Sequence, residues 1–296
     1  MKKIISLILA LAMVCGAMFA LASCASNDGC KIGVQQGTTG ELYLKGDADM
    51  AFAGYSNVEC KSYSTAGLAV KAMLDGQINY VIIDNEVAKA LVNQNPGTKV
   101  IDIALSAEEY AFGVDKSQDN IKAALNELLA EMKVDGSLDA LFAKYDALEY
   151  DDDGNVIGGD ENIIGIDSAD KDNNNAAGQL VVATNAAFAP FEYKKGNQFA
   201  GIDMEIMKAL ADKLGLELVI EDMDFDNVVG SVGKNGIDIA MSGITITAER
   251  LDVINFSNSY YTESIVVLCK ADDDSFAKCG TVVDLLTVVC VAAEEE

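Results

Sequence analysis

The sequence predicts an α/β protein built as two lobes around largely parallel sheets. Strand-like apolar runs alternate with helical apolar spacing in both halves of the chain. An Asp-, Asn- and Gly-rich stretch separates those halves. The roughly 270 residues after an apolar leader suit one large or two small globular units.

Along the chain, Lys2 and Lys3 form a basic start and Ile4 to Ala20 an apolar run, closing on Leu21-Ala22-Ser23-Cys24. This pattern reads as a secretory signal over 1–23. Its last four residues resemble a lipoprotein cleavage box, with Cys24 lipidated as the new N-terminus and membrane anchor. The competing reading is an uncleaved anchor, because the apolar run is almost long enough to span a bilayer. Both readings put the remainder outside the cytoplasm.

Lys31 to Val34 reads as a strand. The turn Gln35-Gln36-Gly37-Thr38-Thr39-Gly40 follows, and a helix can start there on a Thr cap with Glu41 in its first turn. Ser64 to Leu74 has helical spacing. Asn79 to Ile83 is a buried strand ending on Asp84, and Lys99 to Ala104 and Tyr110 to Val114 are further strands. Asn120 to Met132 and Ser137 to Tyr145 are amphipathic helices split by Asp135-Gly136. Residues 146–178 read as a solvated acidic linker. Within it Glu149, Asp151, Asp153, Gly154, Val156 and Asp160 approximate a calcium loop, but the first and last ligand types are exchanged and no helix pair flanks it. Periodicity resumes with a strand over Leu180 to Thr184 and a helix over Asp203 to Leu214 ended by Gly215. Strands over Leu216 to Glu221 and Ile237 to Met241 follow.

The formal charge is −26, and −28 once Lys2 and Lys3 leave with the leader, which disfavours nucleic acid as a partner. Histidine and tryptophan are absent, so the commonest general base and a common metal ligand are missing. Of seven Cys, Cys15 and Cys24 fall in the leader region. No CxxC pair occurs among the other five, and an odd number excludes complete internal pairing. No metal, cofactor or catalytic group is expected.

Ala183-Thr184-Asn185-Ala186-Ala187-Phe188-Ala189-Pro190-Phe191-Glu192 and Phe199-Ala200-Gly201-Ile202-Asp203 carry a family pattern. So do Asp222 to Asp226, Asp238 to Arg250, Asn255-Phe256-Ser257 and Tyr260-Tyr261. These passages resemble the opening of the polar amino-acid-binding proteins of ABC transporters, solute-binding family 3. Ile32 to Thr39, Ile82 to Asn85 and Tyr110 to Val114 resemble the later, second-lobe segments of that family. The resemblance covers nearly all of the chain after the leader except the linker. It implies a two-lobed Venus-flytrap fold of the type II periplasmic binding class, with its segments in circularly permuted order. The implied layout is second lobe over 24–108, return to the first lobe over 109–145, linker over 146–178, first lobe over 179–267 and the rest of the second lobe over 268–296. The tail from Cys279 to Glu296 matches least. A truncated or mis-assembled tandem gene is the competing account of the order. Permutation would open the second lobe near Cys30 and Cys290, where a clasp between the two is conceivable.

The resemblance also implies a site. Arg250 holds the α-carboxylate of a free amino acid, helped by Thr245 and the backbone of Ser242 and Gly243. Thr38 and Thr39 add donors from the second lobe near a helix start. Asp84 pairs with the α-ammonium, and Phe188 and Phe225 stack on the ligand. Asn185 stands where relatives with cationic ligands carry Asp, which leans toward a neutral polar ligand, while Gln35 and Gly40 vary within the family. Hinge strands are expected near Ser264–Lys270 and Glu109–Val114, and closure would follow binding. The partners implied are an ABC transporter permease and the membrane, with the protein a monomer. Two other classes share the fold: a cyclohexadienyl-dehydratase-like enzyme using Glu192 or Asp84 as an acid, and an amino-acid sensor module.

Overall fold

The computed structural model describes residues 30–55, 57–146, 148–150, 156–172, 176–282 and 284–285. The leader with Cys24, the loop residues Asp151, Asp153 and Gly154, and Cys290 lie outside the described residues.

In chain order the first elements are β1 (Cys30–Gln35), α1 (Thr39–Lys45), β2 (Val58–Tyr63), α2 (Ala66–Leu74), β3 (Tyr80–Asp84), α3 (Asn85–Gln94) and β4 (Thr98–Ile101). Then come β5 (Glu108–Tyr110), β6 (Gly113–Val114), α4 (Asp119–Asp135), α5 (Ser137–Tyr145) and the short pair β7 (Glu149–Tyr150) and β8 (Val156–Gly158). The second half supplies β9 (Gln179–Thr184), β10 (Ala187–Phe188), β11 (Glu192–Lys195), β12 (Gln198–Ala200), α6 (Ile202–Leu214), β13 (Glu217–Asp222) and α7 (Phe225–Ser231). It ends with β14 (Ile239–Ala240), α8 (Ala248–Val253), β15 (Asn255–Phe256), β16 (Tyr261–Glu263) and β17 (Ile265–Lys270).

Two five-stranded sheets form, ordered β2-β1-β3-β17-β4 and β13-β9-β14-β6-β15. They share one plan. Three parallel strands lead, then an antiparallel fourth strand, then a fifth antiparallel to it. The central strands β3 and β9 are buried at every residue, which is why their sequences are nearly continuous apolar runs instead of alternating ones. The helix α6 stops at Gly215, whose φ of 68° places it in the left-handed region and lets its N–H reach the carbonyls of Ala211 and Asp212.

The fourth strand of each sheet enters directly from the hinge. β5 and β16 pair antiparallel as a two-stranded ribbon, with Tyr110 opposite Tyr261 and Glu108 opposite Glu263. The chain runs from β5 into β6 of one sheet and from β16 into β17 of the other. Both lobes are therefore assembled from both halves of the sequence. Residues 30–101 and 265–270 build one sheet, and residues 113–114 with 179–256 build the other.

Three details differ from the sequence reading. β17 begins at Ile265, so the expected lobe boundary after residue 267 falls inside a strand. The paired hinge strands are β5 and β16, so the second crossing lies just before the expected Ser264–Lys270, whose apolar run is core strand. The stretch 146–178 is not uniformly solvated: Ile163 and Ile166 are buried, Ile166 bridges Phe199, and the Ala169 N–H donates to the Leu218 carbonyl. Two isoleucines spaced for one edge contact are too short a pattern to stand out in an acidic segment. Among the described residues Cys60, Cys269 and Cys279 are free thiols.

Candidate functional site

The carboxyl ends of the parallel strands in both sheets carry most of the expected ligand residues, as open α/β sheets lead one to expect. β1 ends on Gln35, β3 on Asp84, and β9 leads into Asn185. β14 leads into Ser242, Gly243 and Thr245, and Arg250 sits on α8. The lobes touch there. Gln35 Nε2 donates to Asn185 Oδ1 at 3.0 Å, and Gln36 Nε2 to Asp226 Oδ2 at 2.8 Å. Arg250 Nη2 donates to the Gly37 carbonyl at 3.0 Å.

Arg250 is positioned by its own helix and turn. Thr247 caps α8 by accepting the Arg250 N–H, and Nη1 donates to the Thr245 carbonyl at 2.8 Å. Its guanidinium lies 5.6 Å from the Phe225 ring centroid. Burial pushes its pKa below the ordinary value, while the charges of Glu108 and Asp84 act in the opposite direction. An arginine stays charged under such a shift.

Asp84 is buried and accepts from the Tyr110 hydroxyl at 2.5 Å. Burial, then the neighbouring charge of Glu108, raises its carboxyl to about 7, against the Tyr110 hydrogen bond and Arg250. Glu263 is raised to about 8, chiefly by burial and next by Asp84; the backbone N–H groups of Ser264 and Glu86 donate to it.

The remaining expected residues divide. Thr39 and Thr245 converge on one atom, Oε2 of Glu108, at 2.6 and 2.7 Å. Thr38 turns inward, its hydroxyl donating to the Gln35 carbonyl at 2.8 Å. Asn185 is engaged by Gln35 at Oδ1 and donates through Nδ2 to the Met223 carbonyl. The Oε1 of Gln35 is buried without a hydrogen-bond partner. Phe188 and Phe225 are both buried. Ser242 donates to Glu192 Oε1 at 2.7 Å, and the Gly243 N–H donates to Asp203 Oδ2 at 3.2 Å, so these donors serve the interior of their lobe. Gly243 has φ 52°, and a Cβ there would lie 2.9 Å from the Tyr110 ring and 3.1 Å from Phe188.

Glu108, Glu263 and Asp203 were not among the residues expected at the site, whereas Glu192 was expected as an acid of the dehydratase-like alternative. Glu192 and Asp203 are fully buried side by side; burial and each other's proximity raise Glu192 well above the carboxylate range, and burial raises Asp203 to about 7. The Tyr260 hydroxyl donates to Asp203 at 2.6 Å. A signal for Glu108 did exist. Glu108 and Tyr110 flank the exposed Glu109 at the two-residue spacing of one strand face.

A cavity of about 450 Å³ borders Phe142, Phe191 and the hinge residue Tyr261, and none of the expected ligand residues lines it. The chemistry of the facing strand ends, not that hollow, defines the candidate site. Among the described residues no group of His, Cys, Asp and Glu could hold a metal ion, and no helix is long and apolar enough to cross a membrane.

Two α/β lobes joined by a strand pair, with polar side chains gathered on their facing edges, define a two-lobed fold with a candidate binding cleft. Residues 180–289 match the family described as bacterial extracellular solute-binding proteins, family 3. The arginine-binding extracellular protein ArtP of Bacillus subtilis is 39% identical over 94 residues, which cover 32% of this chain and 37% of that protein. The cyclohexadienyl dehydratase of Pseudomonas aeruginosa is 33% identical over 99 residues, 32% of this chain and 37% of that one. Among solved structures, the arginine-bound form of domain 1 from TmArgBP is 31% identical and covers 43% of this chain and 100% of that one, with a TM-score of 0.28. The chain spans about two fifths of the length of the curated relatives it matches.

Proposed function

We propose that the chain captures a free amino acid between its lobes and delivers it to an ABC transporter permease. The observation that carries this reading is the convergence of Arg250 and Thr245 from one lobe with Thr39 and Asp84 from the other. A guanidinium and hydroxyls suit an α-carboxylate, and a buried carboxylate suits an α-ammonium. The β5–β16 ribbon is the hinge, and contacts from both lobes favour the closed form once the ligand is between them. Lipidation at Cys24 would hold the monomeric protein on the outer face of the membrane. The segment order is that of a permuted relative of the family: the family match lies in the second half of the chain, and both sheets draw strands from both halves.

The side chain of the ligand has two readings. Asn185 in place of an acid leans toward a neutral polar amino acid. The buried acceptors Asp84 and Glu263 and the unpartnered Oε1 of Gln35 favour a ligand rich in donors, such as one with a cationic side chain. Arginine is what several relatives are named for binding.

Isothermal titration of the protein against the twenty amino acids tests the reading. Saturable one-to-one binding of one or a few is expected, and glutamine against arginine separates the two side-chain readings. No binding by a chain whose circular dichroism is that of a folded α/β protein would overturn it. Turnover of prephenate would instead establish a dehydratase, with Asp84 the acid within reach of the cleft; Glu192 is held in the lobe interior by Ser242 and Asp203.

A further inference from the structure

Glu108 stands where two expected ligand-holding hydroxyls meet. Its Oε2 accepts from Thr39 Oγ1 at 2.6 Å and from Thr245 Oγ1 at 2.7 Å, and its Oε1 accepts from Ser106 Oγ at 2.7 Å. Thr39 comes from the lobe built on β1 and β3, and Thr245 from the lobe built on β9 and β14. One carboxylate on the hinge ribbon thus ties the two lobes together, and it is only 3% exposed.

A threonine hydroxyl has a single proton to donate. Both protons go to the same carboxylate oxygen of Glu108. Arg250 feels the charge of Glu108 but donates its Nη1 and Nη2 to the carbonyls of Thr245 and Gly37. An incoming carboxylate can therefore receive the two hydroxyl protons only by displacing Glu108. The guanidinium is easier to recruit, because neutral carbonyl acceptors are weaker partners than a carboxylate.

We infer that Glu108 is an intramolecular stand-in for the ligand's carboxylate, a built-in competitor at the Thr39–Thr245 hydroxyl pair that sets the affinity of the cleft. This rests on the proposal that an amino acid binds between the lobes. The same bonds make Glu108 a latch that draws the lobes together from within. The rival role is positioning, in which Glu108 orients the two hydroxyls while the ligand is held by other groups. The two roles predict opposite signs, since removing a competitor tightens binding and removing a positioning group weakens it.

The test is titration of the wild-type protein and of Glu108→Ala with the amino acid that the wild type binds, together with small-angle X-ray scattering of both without amino acid. The expected result is a dissociation constant about tenfold lower in Glu108→Ala, the order of one charge-assisted hydrogen bond, and a larger radius of gyration. Glu108→Gln keeps the shape, removes the charge and replaces one acceptor oxygen by a donor; it should tighten binding about threefold and serves if the alanine variant does not fold. Unchanged or weaker binding by a folded variant overturns the competitor, and an unchanged radius overturns the latch. If the wild type itself binds no amino acid, the transport reading fails first and the inference fails with it, which is a result distinct from normal wild-type binding with an unaltered variant.

Discussion

Arg250 Nη2 donates to the carbonyl oxygen of Gly37 across 213 residues of sequence and from one lobe to the other. Gly37 lies in the turn between β1 and α1, at a φ of 80° that favours glycine, and a Cβ there would lie 3.1 Å from the backbone of Asp226. The late segment that carries Arg250 and the early turn that carries Gly37 thus meet edge to edge. The same meeting brings Thr39 and Thr245 onto Glu108. A residue distant in the chain becomes a neighbour because each sheet is completed by a strand arriving from the other half.

Loss of the guanidinium should abolish useful affinity. Arg250→Ala is expected to weaken amino-acid binding at least about a hundredfold, the scale for removing one partner of a buried charged contact. Arg250→Lys should recover part of it, because an ammonium keeps the charge but not the planar fork. Titration calorimetry measures both, with a thermal melt to establish folding. A loss below threefold in a folded Arg250→Ala would remove Arg250 from the site.

Affinity should rise with pH through neutrality. Asp84 in the cleft has its carboxyl raised to about 7, mainly by burial. Its ionised form pairs with an ammonium and its protonated form does not. Between about pH 6 and 8 the dissociation constant should fall several-fold, the range over which a group of that pKa ionises. In Asp84→Asn the profile should be flat and the binding weak. A wild-type affinity independent of pH over that range would show that Asp84 does not meet the ammonium.

Stability should move the opposite way. Asp84 and Asp203 are raised to about 7, Glu263 to about 8, and Glu192 well above its ordinary value, each chiefly by burial. The folded chain keeps protons on these groups that the unfolded chain has already released above its ordinary carboxylate range. The unfolded state binds fewer protons through this window, so the unfolding free energy falls as pH rises. The contribution is full below the unfolded values, near pH 4, and is lost as pH climbs through about 7 to 8. A melting temperature at pH 5.5 at least about 5 °C above that at pH 8.5 is expected for a shift of a few kcal/mol. A higher melting temperature at pH 8.5 would mean that the four acids are ionised in the folded protein.

Much of the framework was legible in the residues. The runs Tyr80–Asp84 and Gln179–Thr184 are apolar because both faces are covered, and Gly215 stops α6 where a left-handed cap is needed. Asp84 stood at the carboxyl end of an apolar run, but it was the resemblance in family register that singled out Arg250 and Asp84 together. The hinge did not stand out as readily. β5 and β16 carry Glu108 and Glu263 on their buried face, and an acidic residue in a short strand reads as surface until its neighbours are known. Glu192 stood out only as a possible acid, and its burial against Asp203 did not; Ser242, Tyr260 and the Gly243 N–H hold the pair in the interior. The Ser242 hydroxyl and the Gly243 N–H turn to that pair.

The proposed permutation can be reversed. A chain in which residues 176–285 come first, followed by a short Gly/Ser connector and residues 30–172, restores the order of the unpermuted family while keeping every strand of both five-stranded sheets. Native contacts fix the fold, and chain connectivity enters through loop closure, whose cost changes by only about 1 kcal/mol for moderate changes in loop length. The breaks fall at 172/176 and between the second-lobe segments, outside the strands and helices of the two sheets. The rearranged chain should unfold in one cooperative transition within roughly 3 °C of the original, consistent with a change of about 1 kcal/mol, and should bind the same amino acid with an affinity within about threefold. Two outcomes would count against it. Loss of cooperative unfolding would mean that the present order carries structure the permutation account omits, and a folded rearranged chain with no affinity would mean that Arg250 and Asp84 no longer share a cleft. Scattering then separates the remaining cases, because a folded chain with misplaced lobes has a larger radius of gyration than the original.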